Sequence, residues 1–359
     1  MKIKKILIVY SGAKHQGGIE RYLENLFALY DKKRLKLILV SLGEWPLTEK
    51  IRKTGAKTIV LAGGRVLPQN ILKISKIVSE EKASLIVSQG VVANSYARSA
   101  AALSKTPHLT TVHSDMDLDY SNPLIRSVYK TSDKVVRWRT DRYIAVSKHL
   151  RSKLIKSGIK GDKISVIYNG VSEIKSKKAK KDGEIVIGSI GRLHKVKGYE
   201  KLIKAFSIVN STGLKLIIWG EGPERKSLEA LIDSLGLKGK VELAGFTDDI
   251  VGALSKTDIY VQPSLSEGFG LTVVEAMLAG KPIIVTPVGS LKEIVTDGET
   301  GIIAKSTSPK ALANSLERLL SDEELLKNLG ENAKRDAKER FSMKSWVRET
   351  EKAYLDTAK

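Results

Sequence analysis

Residues 258–280 read DIYVQPSLSEGFGLTVVEAMLAG. The apolar run Asp258–Val261 predicts a strand, and Leu271–Leu278 has the composition of a buried helix. Between them Gly268 and Gly270 bracket Phe269. A loop with so little Cβ bulk lets backbone N–H groups approach a ligand, and a helix start near Leu271 favours an anion. Glu267 precedes that helix and Glu275 lies in its second turn. Two carboxylates so placed can grip opposite ends of one extended polar ligand. The same residues also suit a surface loop with a solvated helix glutamate.

Outward from this segment the strand–loop–helix unit recurs. Short apolar runs at Lys5–Ser11, Lys36–Ser41, Thr58–Leu61, Leu85–Ser88, Leu109–His113, Arg142–Val146 and Lys163–Tyr168 predict a first set of strands. Helical spacing lies between most of them, as at Gly18–Tyr30. A second set runs through Glu184–Ile190, Leu214–Trp219, Val241–Leu243, Asp258–Val261 and Pro282–Thr286. Continuous apolar strands alternating with helices argue for parallel sheets buried on both faces. Between the sets, residues 171–183 (VSEIKSKKAKKDG) are polar, lysine-rich and without apolar period, which predicts a linker. The expected architecture is α/β, with doubly wound domains over 1–170 and 184–340. A chain of 359 residues fits two domains of roughly 170–180 residues. The amphipathic end, 341–359, carries Trp346, Val347, Tyr354 and Leu355 and is expected to pack on a neighbouring surface.

Ligands of open α/β sheets sit beyond the C-terminal ends of the strands, and the remaining candidates all follow strands. Gly191-Arg192-Leu193-His194-Lys195-Val196-Lys197-Gly198 offers an Arg fork and a Lys point charge that could clamp a diphosphate. Trp219-Gly220-Glu221-Gly222-Pro223 reads as a tight turn and lacks the third glycine of a dinucleotide fingerprint. Gly17-Gly18 follow the first strand, and His113 and Asp115 follow the fifth. A single histidine at such a place is as readily structural as functional.

Several chemistries are excluded. With no cysteine, disulfides, thiolate metal sites and a cysteine nucleophile drop out. The five histidines and the carboxylates show no metal-ligand spacing, so no metal and no cofactor is expected. Neither a G-x-S-x-G elbow nor a P-loop is present. No apolar stretch approaches the ~20 residues of a membrane span. Lys2, Lys4 and Lys5 could open a signal peptide, but Ile6–Tyr10 is too short for its apolar region, so a cytoplasmic location is expected.

Taken together, these segments resemble the retaining GT-B glycosyltransferases of family 4, the glycosyl transferases group 1. The resemblance covers nearly the whole chain. Its specific part is the Glu267/Glu275 pair within S-x-x-E-G-F-G-x-x-x-x-E-A, with Gly191-Arg192 and Lys197-Gly198 upstream. The resemblance implies a GT-B fold: two Rossmann-like domains facing a central cleft, with the last helix crossing back to the N-terminal domain. It implies a nucleotide-diphospho-sugar donor, UDP-sugar favoured, bound by the C-terminal domain. Arg192 and Lys197 would bind the diphosphate, Glu275 the ribose, and Glu267 the donor sugar together with the backbone of Gly268, Phe269 and Gly270. Leu271 would place a helix N-terminus at the phosphate, and Phe246 would face the nucleobase. Gly17 and Gly18 would approach the phosphate or acceptor, and His113 would sit by the donor sugar. Glu267, His113, Arg192 and Lys197 would then be the catalytic set. The leaving phosphate would itself take the acceptor proton, so no protein nucleophile is needed. A glycoside phosphorylase and a nucleotide-sugar epimerase are alternatives on related scaffolds.

Net charge is +21, and its distribution is uneven. Residues 1–170 hold 31 Lys+Arg against 13 Asp+Glu, whereas 171–359 hold 30 against 27. This asymmetry points to an anionic partner for the N-terminal half. Ser121–Asp141 reads as a helix whose Arg126, Lys130, Lys134 and Arg137 share one face within about 80° at ~100° per residue. Leu124, Val128, Val135 and Trp138 share another. Together with Lys32-Lys33-Arg34 this suggests docking on anionic lipid headgroups, each basic residue being worth ~1 kcal/mol there. The expected acceptor is lipid-linked or a cell-envelope glycan, with the enzyme on the inner face of the cytoplasmic membrane; an ordinary solvated helix face is the alternative. Nucleic acid is not an expected partner, because aromatics are only 6% and no recognition module is visible.

Overall fold

The computed structural model describes residues 3–12, 17–61, 69–115, 137–174 and 183–358. Two compact units are present: Met1–Gly170 with Met343–Lys359, and Val171–Ser342. The N-terminal unit has strands β1 (Lys4–Tyr10), β2 (Leu35–Ser41), β3 (Lys57–Val60), β4 (Leu85–Gln89), β5 (His108–Val112), β6 (Arg142–Ala145) and β7 (Ile164–Val166). Its helices before Gly170 are α1 (Gly18–Leu29), α2 (Pro46–Lys53), α3 (Gln69–Glu81), α4 (Val91–Ser104) and α5 (Lys148–Lys156). The strands pair in parallel in the order β3-β2-β1-β4-β5-β6-β7. The run KKILIVY needs to be apolar at successive positions because it is covered twice. Ile6, Ile8 and Tyr10 pack with Tyr22, Leu26 and Phe27 of α1. Leu7 and Val9 pack with Ile74 and Val78 of α3 and the alanine face of α4.

The second unit repeats the plan with β8 (Ile185–Ile190), β9 (Leu214–Trp219), β10 (Val241–Gly245), β11 (Ile259–Gln262), β12 (Ile283–Val285) and β13 (Ile302–Ile303). The order is β10-β9-β8-β11-β12-β13, so both sheets reverse direction of growth after their first three strands. The helices are α6 (Tyr199–Ile208), α7 (Arg225–Ser234), α8 (Ile250–Ser255), α9 (Leu271–Leu278), α10 (Leu291–Ile294), α11 (Pro309–Leu320) and α12 (Glu323–Arg340). One sheet face buries Ile187, Leu216, Ile218, Ile259 and Val261 under Leu202, Phe206, Leu228, Leu312 and Leu316. The two-residue β13 is absent from the sequence expectation, since Ile302-Ile303 is too short to show a period.

The last helix, α13 (Met343–Thr357), belongs to the N-terminal unit. Trp346, Val347 and Tyr354 enter the same cluster as Ile6 and Ile8. The buried Glu351 carboxylate accepts from the Asp31 N–H at 2.5 Å and lies 3.9 Å from Arg34.

Two expectations need correction. Arg137–Arg139 form a 3-10 turn instead of the end of a helix over 121–141. The cause is local: Thr140 is buried and bonded to Arg98 and His108, which fixes the chain just before β6. Arg126, Lys130 and Lys134 lie outside the described residues. Val171 and Ile174, counted above in the linker, are buried, and the Val171 N–H donates to the Phe341 carbonyl at 2.9 Å. Residues 175–182 lie outside the description.

Candidate functional site

In the second unit β8 lies beside β11, and their connections leave on opposite sides of the sheet. Such a switch point opens a crevice at the strands' C-terminal ends. Here the two strands pair only at Ile187–Ile259 and Gly188–Tyr260, although β8 continues to Ile190 along β9 and β11 to Gln262 along β12. Buried carbonyls at the split need other donors. The Ser189 hydroxyl donates to Val261 O at 2.6 Å, and the Tyr260 hydroxyl reaches Ile190 O at 3.4 Å.

The loops that leave the split are joined by an ion pair. Lys197 Nζ stands 2.7 Å from Glu267 Oε2, with side chains 22% and 12% exposed. A relay of hydrogen bonds supports the carboxylate. Ser264 donates to it at 3.0 Å, Gln262 Nε2 donates to Ser264 at 2.8 Å, and Gln262 Oε1 accepts from Tyr260 at 2.8 Å and Thr272 at 3.3 Å. The Leu265 N–H donates to Val196 O at 2.7 Å. This close approach requires Gly198, at φ +69°, where a Cβ would stand 2.1 Å from the Pro263 carbonyl oxygen. Gly270, at φ +90°, turns the chain into α9. Ser290 Oγ donates to Phe269 O at 2.9 Å and holds the loop from behind. Burial pushes the Tyr199 hydroxyl above the ordinary phenol range, with the nearby Glu267 charge adding to the shift. Burial likewise raises Tyr260, so both rings carry neutral hydroxyls.

Around this centre Arg192 is exposed, and its side chain makes no hydrogen bond or ion pair among the described residues. Glu275 is half-buried on α9, one turn beyond Thr272. Phe246 is 56% exposed at the end of β10. There Arg225 joins the Glu221 carboxylate at 2.9 Å and the Leu243 carbonyl at 3.1 Å. The Phe269 ring is 4% exposed and packs edge-on to Phe341 at 5.7 Å, which leaves its backbone as the part at the loop surface.

In the N-terminal unit the switch point lies between β1 and β4. Beyond it, the Gly17 N–H is taken by Glu20 Oε2 at 2.8 Å, and Glu20 also accepts from Tyr10 at 2.5 Å. Gly17 therefore offers room at the start of α1 and not a free donor. His113 Nε2 is 2.6 Å from Gln89 Oε1, while Gln89 Nε2 donates to Thr111 at 3.2 Å. With the amide so oriented, His113 carries its proton on Nε2 and keeps Nδ1 as an acceptor. Desolvation pulls its pKa down to about 3.

Residues 16–173 match the family described as glycosyltransferase family 4, and residues 171–336 match glycosyl transferases group 1. An uncharacterized glycosyltransferase of Methanocaldococcus jannaschii, MJ1178, is 34% identical over 251 residues, 69% of this chain and 68% of that protein. The chain is a family 4 glycosyltransferase. The N,N'-diacetylbacillosaminyl-diphospho-undecaprenol alpha-1,3-N-acetylgalactosaminyltransferase of Campylobacter jejuni is 27% identical over 342 residues, 86% of this glycosyltransferase and 88% of that protein. Three other curated relatives are matched over 59% to 65% of their length. The crystal structure of Anabaena Alr3699/HepE in complex with UDP-glucose superposes with a TM-score of 0.84 at 22% identity, covering 98% and 99% of the two chains. The fold of the glycosyltransferase is thus GT-B.

Of the sequence candidates in its second unit, Lys197 and Glu267 are in direct contact, and Arg192, Gly268, Gly270, Leu271 and Glu275 lie on the same two strand exits. Gly17, Gly18 and His113 stand at the strand exits of the other unit. Sequence reasoning missed Tyr260, Gln262 and Ser264, whose polarity inside and just beyond an apolar strand is the one signal they give. It also missed Glu20.

His113 gives a pH prediction. Its folded-state pKa is depressed, so the unfolded chain takes up the proton first as pH falls below about 6.5. Stability is expected to fall between pH 6.5 and pH 3. Buried His108, also shifted down by burial and by Arg98, adds to that loss. Denaturant midpoints at pH 7 and pH 5 should differ less in His113→Gln than in wild type; an equal difference contradicts the buried neutral ring.

Proposed function

We propose that this glycosyltransferase moves a hexose from a nucleotide-diphospho-sugar, UDP-hexose favoured, to a glycan or lipid-linked acceptor, with retention and without a metal. The observation that carries this is the Lys197–Glu267 pair at the β8/β11 switch point, with the exposed Arg192 beside it. Lysine has three N–H donors, so Lys197 can keep Glu267 and still meet a diphosphate. Arg192 offers a fork suited to phosphate oxygens. When the C1–O bond to the diphosphate breaks, these two cations neutralise the departing anion. The acceptor oxygen bonds to C1 on the face the diphosphate leaves, and its proton passes to a phosphate oxygen.

Glu267, its Oε2 held by Lys197 and Ser264, is read here as a sugar-positioning residue and not as a nucleophile. In this reading Glu275 takes the ribose hydroxyls and Phe246, exposed after β10, the nucleobase face. Gly268, Phe269 and Gly270 serve through their backbone, and Leu271 through the start of α9. His113 in its neutral form, with Gly17 and Gly18, serves from the N-terminal unit. Two relatives agree in kind: the Campylobacter jejuni enzyme acts on a diphospho-undecaprenol acceptor, and the Anabaena protein binds UDP-glucose.

The excess charge of the N-terminal half supports docking on an anionic membrane surface. No helix among the described residues is long and apolar enough to cross a membrane. Trp138 is 64% exposed with Arg139 stacked 3.6 Å over its ring. Arg137 donates to Ser157 O at 2.7 Å, which sets this pair beside the basic end of α5 with Lys153 and Lys156.

Two experiments test these points. Hydrolysis of UDP-, GDP- and ADP-sugars should show turnover of one donor class, unchanged by EDTA, and Arg192→Ala should lower kcat by roughly 100-fold. Turnover that needs added metal, or survives Arg192→Ala, contradicts the charge-neutralising role. In flotation at low salt the protein should bind phosphatidylglycerol-containing liposomes and not neutral ones, with Trp138→Ala/Arg139→Ala weakening it. Equal recovery on both kinds contradicts membrane docking.

A further inference from the structure

In the N-terminal unit, the Tyr22 ring of α1 stands between two other rings. The His113 imidazole is 4.8 Å away at 76°, and the Trp346 indole of α13 is 4.9 Å away at 74°. Both are edge-to-face contacts within the favoured separation of about 4.5–7 Å, and such contacts are directional. Tyr22 is 3% exposed, and its hydroxyl lies among those of Thr111, Thr350 and Tyr354. Two of these partners, Thr350 and Tyr354, also come from α13. The helix is in turn anchored by Glu351, which accepts from Asp31 N.

Against this, His113 has one polar contact among those described, to Gln89 Oε1 at 2.6 Å. A single hydrogen bond directs Nε2 but leaves the ring plane free to turn about that axis. The Tyr22 contact removes this freedom, and the Trp346 indole packed on the same ring removes the freedom of Tyr22. We infer that Tyr22 and Trp346 are positioning residues through which the C-terminal helix sets the ring plane of His113, whose tautomer Gln89 selects. For catalysis this rests on the proposal that His113 serves the donor; for the imidazole itself it does not. Docking of α13 then governs the direction in which Nδ1 presents its lone pair.

The test is the long-range proton–nitrogen spectrum of the histidine rings in the full chain, with His113 assigned by His113→Gln. Wild type and Tyr22→Phe should show one neutral tautomer protonated on Nε2 at pH 7. Tyr22→Leu and Trp346→Leu, checked as folded by circular dichroism, should show His113 ring signals shifted and broadened by reorientation of the ring plane, and titration moved toward 6.5. Unchanged His113 shifts in either folded leucine variant overturn the inference. If Tyr22→Leu does not fold, Trp346→Leu decides, since it leaves the Tyr22 ring in place; Tyr22→Met is the reserve for the converse. Hydrolysis of UDP-glucose separates the two claims. Should His113→Gln hydrolyse it as wild type does while Tyr22→Leu shifts the imidazole signals, the donor role of His113 falls and the positioning stands.

Discussion

The geometry of the second unit's switch point depends on the 2.7 Å pair between Lys197 and Glu267. β8 and β11 share only two paired positions, and beyond them the sheet itself no longer fixes where their loops go. The ion pair, the Leu265–Val196 hydrogen bond and the glycine approach at Pro263 supply that constraint instead. Neither charge is fully solvated. A pair in this position is held more firmly than an exposed one, whose worth is about 0–1 kcal/mol. Removing one partner leaves the other half-buried and uncompensated. In the proposed function, the same cation that organises the loops is the one that meets the diphosphate.

Parallel sheets account for the placement of everything else. A βα unit can carry its functional loops only at the strands' C-terminal ends, so each switch point gathers residues distant in sequence. Lys197 and Glu267 are 70 positions apart, and His113 and Gln89 are 24 apart. The two units use one strand order for different electrostatics. The second is nearly balanced in charge and carries Arg192, Lys195 and Lys197 at the exit of β8. The first is strongly basic over its length, and its switch point holds the Glu20 carboxylate, the Gln89–His113 pair and aromatic rings.

Much of this was legible in the sequence, and for physical reasons. Strands covered on both faces have to be continuously apolar, so KKILIVY and LKLIIW stood out. Glu267 and Lys197 were legible as residue types just past strands. Their contact was not, because pairing between loops of separate βα units leaves no period or spacing. The Phe269 ring shows the same limit: glycine neighbours signal a loop, but nothing local says that the ring turns inward to Phe341. The helical pattern over 121–141 misled at Arg137–Arg139, where a buried threonine network overrides amphipathic spacing. Trp346 and Tyr354 were visible as an apolar stripe, yet the aromatic chain from Trp346 through Tyr22 to His113 exists only in three dimensions.

The most direct test is calorimetric titration of UDP into wild type, Lys197→Met, Glu267→Gln and the double variant. If the pair organises the diphosphate site, Lys197→Met weakens UDP binding at least tenfold, about 1.4 kcal/mol. Glu267→Gln then changes affinity in the wild-type background but not in the Lys197→Met background, a coupling on the order of 1 kcal/mol. Undiminished UDP binding by Lys197→Met, or strictly additive effects of the two substitutions, would contradict the account.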